Sequence, residues 1–276
     1  MTTTTLLPET TTVETVQTES IRKLPALNVV KSEWIKFWSV RSTSVTLLVA
    51  GFVTVIFGMI FSALAESGTA EGPAAGLTNP VDLSLGFVGL TAMIVGVVGV
   101  MFVASEYSTG MIRTAYAAVG RRGRVIRAKV AVLGVTVFSV AMVAVTATIV
   151  AGQAVYSGSE ATTPVTDLWD LILGNSIYLV GIALIGAALG FILRSTAAGI
   201  GTLVGGVFIG PNLLNLLPDS ITDVFMKYLP SEAGSAIIGQ VSNPDQLSQG
   251  AAYAVFTGWV VGLLALAGLL VNRRDA

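Results

Sequence analysis

The side chains that usually carry out nucleophilic, acid–base or metal chemistry are scarce in this sequence. Histidine and cysteine are both absent, which excludes thiol nucleophiles, imidazole acid–base catalysis and zinc sites built from these residues. No segment matches the GxxxxGK[ST] loop that cradles nucleotide phosphates. We therefore expect no catalytic residue, no metal site and no cofactor in this chain.

The charged residues that do occur flank six long apolar runs, at about 45–65, 84–105, 130–151, 171–193, 197–217 and 250–271. None of these runs has an Asp, Glu, Lys or Arg in its interior. Each run is long enough to cross a hydrocarbon layer of about 30 Å as a helix. Ionisable groups inside a membrane mark ion pathways and proton relays, so uphill transport by this chain would need energy from outside the bilayer.

Composition agrees with a membrane protein. Charged residues make up 11% of the chain and hydrophobic residues 53%, with a mean hydropathy of +0.81, whereas soluble domains carry about 25% charged residues. We expect an all-α integral membrane protein with six transmembrane helices, an N-terminal interfacial amphipathic helix and a cytoplasmic coupling helix. Residues 1–27 are predicted to be a disordered tail, and residues 28–276 a single six-span domain.

The basic residues indicate the orientation. In a six-span layout, all of the 15 Lys and Arg residues except Lys227 fall on one side. Lys and Arg concentrate in cytoplasmic segments of membrane proteins. Both termini are therefore expected in the cytoplasm, and the chain in the cytoplasmic (inner) membrane among its lipids.

Residues 28–41 precede the first run and are amphipathic. Trp34, Phe37 and Trp38 share one side of a helical wheel, and Lys36 lies opposite. Fourteen residues span only about 21 Å, too short to cross a bilayer. Trp34, Lys36, Trp38 and Arg41 suit a helix in the headgroup region; a cytosolic helix packed on a partner is the alternative.

The segment after the second run has an apolar face of its own. Met111, Ile112, Ala115, Ala118 and Val119 recur at near-helical spacing. Such a face, rimmed by charge, is typical of a partner surface; a short helix on the membrane is a compatible explanation. Arg121 and Arg122 are explained by a positive-inside loop, so no nucleic-acid partner is expected.

Three asparagines lie within the runs. Asn175 is near the start of the fourth, and Asn212 and Asn215 follow Pro211 in the fifth. They could line a substrate path, since a kinked helix frees backbone carbonyls; hydrogen bonding between helices is the alternative.

Small residues recur every four positions within the runs, which allows close helix packing within the chain or across a dimer. These sets are Gly186/Gly190, Ala197/Gly201/Gly205, Gly206/Gly210 and Ala254/Gly258/Gly262.

Three motifs resemble the membrane subunits of type-2 ABC exporters. They are Glu33-Trp34-x-Lys36-x-x-Ser39-x-Arg41-Ser42, Glu106-Tyr107-x-x-Gly110-x-Ile112-Arg113 followed by Arg121-Arg122 and Ala128-Lys129, and Leu229-Pro230-Ser231-Glu232-Ala233-Gly234. With the six-span layout, the resemblance covers nearly the whole chain from Asn28. One departure is Gly120, where that family often has proline.

The resemblance implies a role for each segment. The Trp34 helix would be the interfacial connecting helix, and residues 219–249 would form short helices dipping toward the membrane from outside. The coupling helix would dock on a separate nucleotide-binding ATPase, which holds ATP and Mg, through Glu106, Tyr107, Gly110, Arg113, Arg121 and Arg122. On a continuous helix, Glu106 and Arg113 would share one face. A second permease copy, identical or different, would complete the path.

The expected function is therefore that of a permease subunit exporting an apolar or amphipathic substrate. A sensor or regulatory subunit that contacts an ATPase without transport is one alternative. A passive channel is another, but it would need polar residues along one face of several spans. The identity of the substrate does not follow from the sequence.

Overall fold

The computed structural model describes residues 25–66, 80–155, 168–214, 216, 218, 225–238 and 247–273. Nearly all of these residues are helical, and no strand occurs among them. The helices are α1 (Ala26–Ser39), α2 (Arg41–Glu66), α3 (Pro80–Leu85), α4 (Val88–Ser108), α5 (Met111–Val119), α6 (Arg122–Val155), α7 (Trp169–Leu193), α8 (Thr196–Thr202), α9 (Gly210–Leu214), α10 (Pro230–Ile238) and α11 (Gln249–Arg273).

Six helical stretches are long and apolar enough to cross a membrane: Arg41–Leu64, Val81–Ser108, Arg122–Val155, Trp169–Leu193, Thr196–Leu214 and Gln249–Arg273. They confirm the six predicted apolar runs and support a multi-pass membrane protein. The third stretch begins at Arg122 rather than near residue 130, so it includes Lys129. The fifth contains a π-helical segment, Leu203–Ile209, between α8 and α9.

Contacts between helix ends place several basic segments together. An Arg122 Nη1 at the start of α6 donates to the Val271 carbonyl near the end of α11, 2.9 Å away. The Arg194 guanidinium, after α7, lies 5.3 Å from the centre of the Tyr107 ring in the last turn of α4. We call this end of the bundle, with α1 and α5, the basic end.

Helix α7 lies at the centre of the bundle. In an 18-residue apolar stretch of α7, 72% of the residues are buried, whereas in the corresponding stretch of α11 only 17% are buried. Its most extensive contact is with α4, and glycines make that contact possible. A methyl group at Gly99 would overlap the Ala183 carbonyl oxygen, and one at Gly186 would overlap that of Gly96. The Gly186/Gly190 set therefore packs within the chain.

Other small-residue sets have no such neighbour among the described residues. A methyl group at Gly201, Gly205, Gly258 or Gly262 would meet nothing within 4 Å. These glycines belong to the fifth and sixth spans, whose apolar stretches are the least buried of the six. The bundle is consequently tight along α4 and α7 and open along these two outer spans.

Helix α10 packs beside the first halves of α7 and α11, away from the basic end. Trp259 Nε1 donates to the Tyr228 carbonyl, 2.8 Å away, although Trp259 lies about 15 Å along α11 from its first residue. Gly234 of α10 packs directly against the Tyr178 ring. Short helices were expected over 219–249. Those observed between 226 and 238 pack beside the spans. Residues 219–224 and 239–246 lie outside the described residues.

The α4–α7 contact leads to a direct test. Gly99→Ala should lower the free energy of unfolding by about 1–3 kcal/mol, since overpacking forces the helix backbones apart. Gly89→Ala, in the first turn of the same helix, is the matched control, because its added methyl group meets nothing within 4 Å. Thermal unfolding of the detergent-purified proteins, followed by size-exclusion recovery, would measure both. Equal stability of the two variants would contradict the close contact.

Candidate functional site

Four charged side chains form a cluster at the basic end. Lys129, in the second turn of α6, has a side chain only 1% exposed. Its Nζ donates to Glu33 Oε2 of α1 at 2.7 Å and lies 2.7 Å from Glu106 Oε1 of α4. The Phe102 ring covers the ammonium, with its centre 4.5 Å from Nζ. One buried cation thus joins three helices.

Lys36 completes what we call the ion cluster, made of Glu33, Lys36, Glu106 and Lys129. Its Nζ donates to Glu33 Oε1 at 2.9 Å and to Glu106 Oε1 at 3.4 Å. Burial alone would lower the pKa of Lys36, but the hydrogen bond to Glu33 and the charges of both glutamates outweigh it and raise that pKa. Two carboxylates and two ammonium groups therefore balance to zero net charge.

The spacing of residues on α1 explains how the ion cluster forms. Val29, Glu33 and Phe37 recur every four residues and make the buried face. Phe37 packs edge-on against Phe102 of α4, with ring centres 5.3 Å apart. Val29 and Phe37 bring α1 onto the bundle, and Glu33 between them is buried opposite Lys129.

The apolar side of α1 seen on the helical wheel is divided between the bundle and the outer surface. Phe37 is buried, but Trp34 and Trp38 on the same predicted side are each 42% exposed. Glu33 and Lys129 entered the sequence analysis only as motif letters, and their partnership was missed. The available signal was a glutamate placed on the apolar stripe between Val29 and Phe37, because a charge in such a position needs a partner.

Helix α5 is a two-turn segment held between two left-handed glycines. Gly110 has φ of 73° and Gly120 has φ of 68°, a region that glycine enters without steric cost. Ile112 and Tyr116 are buried. The opposite side, including Met111, Arg113, Thr114, Ala117 and Ala118, is exposed.

The prediction that Glu106 and Arg113 share one face of a continuous helix is wrong. Helix α4 ends at Ser108, and the left-handed turn at Gly110 redirects the chain before α5 begins. Glu106 points into the ion cluster, whereas Arg113 is exposed.

The other predicted ATPase-contact residues are divided in the same way. The Tyr107 hydroxyl lies 3.4 Å from that of Tyr116, and Arg122 lies above the Tyr116 ring at 5.8 Å while bonding to Val271. Arg121 is exposed. Glu106, Tyr107 and Arg122 thus hold the basic end together, and Arg113 and Arg121 are presented outward.

A groove of about 410 Å³ separates α1 from α5. Helix α5 contributes Met111, Ala115 and Ala118, and α1 contributes Val29 and Lys36. The apolar face predicted for 110–119 is therefore shared between the bundle, which buries Ile112, and this groove.

The predicted substrate-path asparagines lie in different surroundings. Asn175 is fully buried, and its Nδ2 donates to the Leu171 carbonyl at 2.8 Å, while its Oδ1 has no partner among the described residues. Asn212 is exposed and donates to the Phe208 carbonyl at 3.0 Å. Asn215 lies outside the described residues. Both described side chains bond to their own helices.

No protein-family model and no curated protein sequence matches this chain. The function is therefore inferred from the geometry of the basic end.

The ion cluster makes a prediction about stability. Lys129→Met should lower the free energy of unfolding by about 3–5 kcal/mol, because it removes the buried cation and leaves the two buried carboxylates with only the partly exposed Lys36. Lys36→Met should cost less, since the Lys36 side chain is 28% exposed and exposed pairs contribute little. Thermal unfolding in detergent would compare the two. A Lys129→Met protein as stable as Lys36→Met would show that the cluster does not support the fold.

Proposed function

We propose that this chain is the membrane permease subunit of an ATP-driven exporter, powered by a separate nucleotide-binding ATPase that docks on α5. In this proposal the basic end faces the cytoplasm, both termini are cytoplasmic, and α1 lies in the headgroup region of the inner membrane. ATP and Mg are bound by the ATPase. The substrate is apolar or amphipathic, in keeping with spans whose interiors carry no charge.

The observation that carries the proposal is the way α5 is attached. It is joined to α4 through Thr109 and Gly110 and to α6 through Gly120 and Arg121, so a push on α5 reaches two spanning helices directly. The ion cluster links those same two helices to α1. A displacement of α5 would therefore move α1, α4 and α6 together.

The outward side of α5 has the composition of a docking surface. Met111 is 47% exposed, and Arg113 of α5 and Arg121, just after it, are exposed as well. Met and Arg are enriched in the cores of protein interfaces. Because the chain lacks a nucleotide-binding loop of its own, a partner reached through this surface would supply the energy.

A second copy of the permease, identical or related, would complete the transport path. The exposed glycines of the fifth and sixth spans, including Gly201 and Gly258, leave room for another helix to approach closely. A sensor that contacts the same ATPase would need no such path. Transport measurements therefore separate the two functions.

The decisive experiment uses the permease co-expressed with the ATPase and reconstituted into vesicles. Arg113→Ala should reduce ATP-driven transport and substrate-stimulated ATP hydrolysis at least tenfold, because losing one partner of a buried interface charge pair costs about 2–5 kcal/mol. The level of inserted protein should not change, since Arg113 is exposed. Arg273→Ala, an exposed cation at the end of α11, is the matched control and should retain activity.

Two outcomes would contradict the proposal. Full transport in Arg113→Ala, with the ATPase still bound, would remove α5 from the mechanism. An ATPase complex whose hydrolysis responds to ligand, but which moves no substrate across the vesicle, would favour the sensor.

A further inference from the structure

A second groove runs along the outside of α2 and α6 and is separate from α5. Its volume is about 460 Å³, within the range of about 300–1,000 Å³ typical of ligand sites. It opens sideways, where Phe52 is 67% and Val143 is 71% exposed. Its lining residues include Trp34, Trp38, Leu48, Val55, Val140 and Ala147.

The groove offers an apolar surface and little hydrogen-bonding capacity. The two hydroxyl groups in its lining are already used: Thr136 donates to the Val132 carbonyl at 2.7 Å and Ser139 to the Val135 carbonyl at 2.9 Å. The floor lies where α2 and α6 approach at Gly51 and Ala144. Such a surface suits a hydrocarbon chain.

One end of the groove is different in character. Trp34 and Trp38 of α1 overhang it, with ring centres 6.1 Å apart. Arg41, the first residue of α2, precedes Leu48 and Val55 at seven-residue intervals, so it lies on the same helix face as the lining. Arg41 is exposed, and no ion pair to it occurs within the described part of the chain.

Two exposed cations lie at this end of the groove, Lys31 on α1 and Arg41 at the start of α2. Glu33 and Lys36 neutralise each other within the ion cluster. Lys31 is exposed and lies three residues before Trp34 and seven before Trp38, so it shares their face of α1. Neither cation is among the residues that line the groove itself, so an anion would meet them at its mouth, where Arg41 begins the helix that carries Leu48 and Val55.

We propose that this groove binds one acyl chain of an anionic phospholipid, with the phosphate at Arg41. From Thr136 to Ala147 the lining extends about 17 Å along α6, roughly half of a hydrocarbon layer of about 30 Å and thus the depth of one leaflet. Tryptophan prefers the headgroup level, where Trp34 and Trp38 would lie. The bound lipid would brace α1 against α2 and α6. This site depends on the spans crossing a bilayer and not on export.

Tryptophan fluorescence can test the site. The chain has 4 tryptophans, so Trp169→Phe and Trp259→Phe together leave only Trp34 and Trp38. This parent protein would be placed in phosphatidylcholine vesicles containing either brominated phosphatidylglycerol or the same fraction of brominated phosphatidylcholine. Bromine quenches tryptophan on contact, so the anionic lipid should quench more strongly.

Two variants and two controls identify the source of that difference. Arg41→Gln should reduce the preference for phosphatidylglycerol about fivefold, the effect of one basic side chain beside an anionic lipid. Ala147→Phe, which fills the groove, should reduce it as well. Arg273→Gln, an exposed cation at the end of α11, and Val261→Phe, an equal bulk on the exposed side of α11, should leave it unchanged.

Equal quenching of the parent by the two lipids would overturn the proposal. So would a preference that survives in Arg41→Gln, or one that Arg273→Gln removes equally, because surface charge alone would then explain it. Arg41 is exposed at a helix end, so its substitution is decisive even if Ala147→Phe fails to fold. Helix content measured by circular dichroism would identify such a failure.

Discussion

Burial of the Lys129 ammonium is the constraint on which the basic end depends. A buried cation without partners costs several kcal/mol, and ion pairing offsets that cost only when the geometry is close. Here Glu33 and Glu106 each approach within 2.7 Å. Because these carboxylates belong to α1 and α4, the position of Lys129 on α6 fixes where both of those helices must lie.

The position of α5 follows from the same constraint. Glu106 is buried in the last turns of α4, and the chain has only Thr109 and Gly110 in which to turn before α5 begins. The positive φ of Gly110 makes that turn possible. Burial of Ile112 and Tyr116 then leaves Arg113 directed outward, as the proposed ATPase contact requires. Glu106 of the ion cluster and the outward surface of α5 are thus parts of one short stretch of chain.

The six spans were predictable because a bilayer sets their length and excludes charge from their interiors. The turn between the fourth and fifth spans was predictable as well, since two apolar runs separated only by Arg194, Ser195 and Thr196 would together make a helix far longer than a bilayer is thick. These features depend on neighbouring residues alone. Local sequence is sufficient to reveal them.

The ion cluster was not predictable in the same way. Glu33 and Lys129 are 96 positions apart, and only tertiary packing brings them together. The start of α6 at Arg122 was missed because apolar runs mark the membrane-crossing part of a helix and not its end. The break at Gly110 had a signal in the glycine itself, but the seven-residue spacing of Glu106 and Arg113 was interpreted as that of a continuous helix. Similarly, the glycines at 186 and 190 predicted a close contact without identifying α4 as the partner.

Amide hydrogen exchange of α1 tests most directly whether the ion cluster holds the basic end together. In Glu33→Gln, which removes the charge linking α1 to Lys129, the amides of α1 should exchange at least tenfold faster than in the wild type, equivalent to about 1.4 kcal/mol. Those of α7 should keep their protection. Lys31→Gln on the exposed side of α1 should exchange as the wild type does. Unchanged protection of α1 in Glu33→Gln would contradict the account.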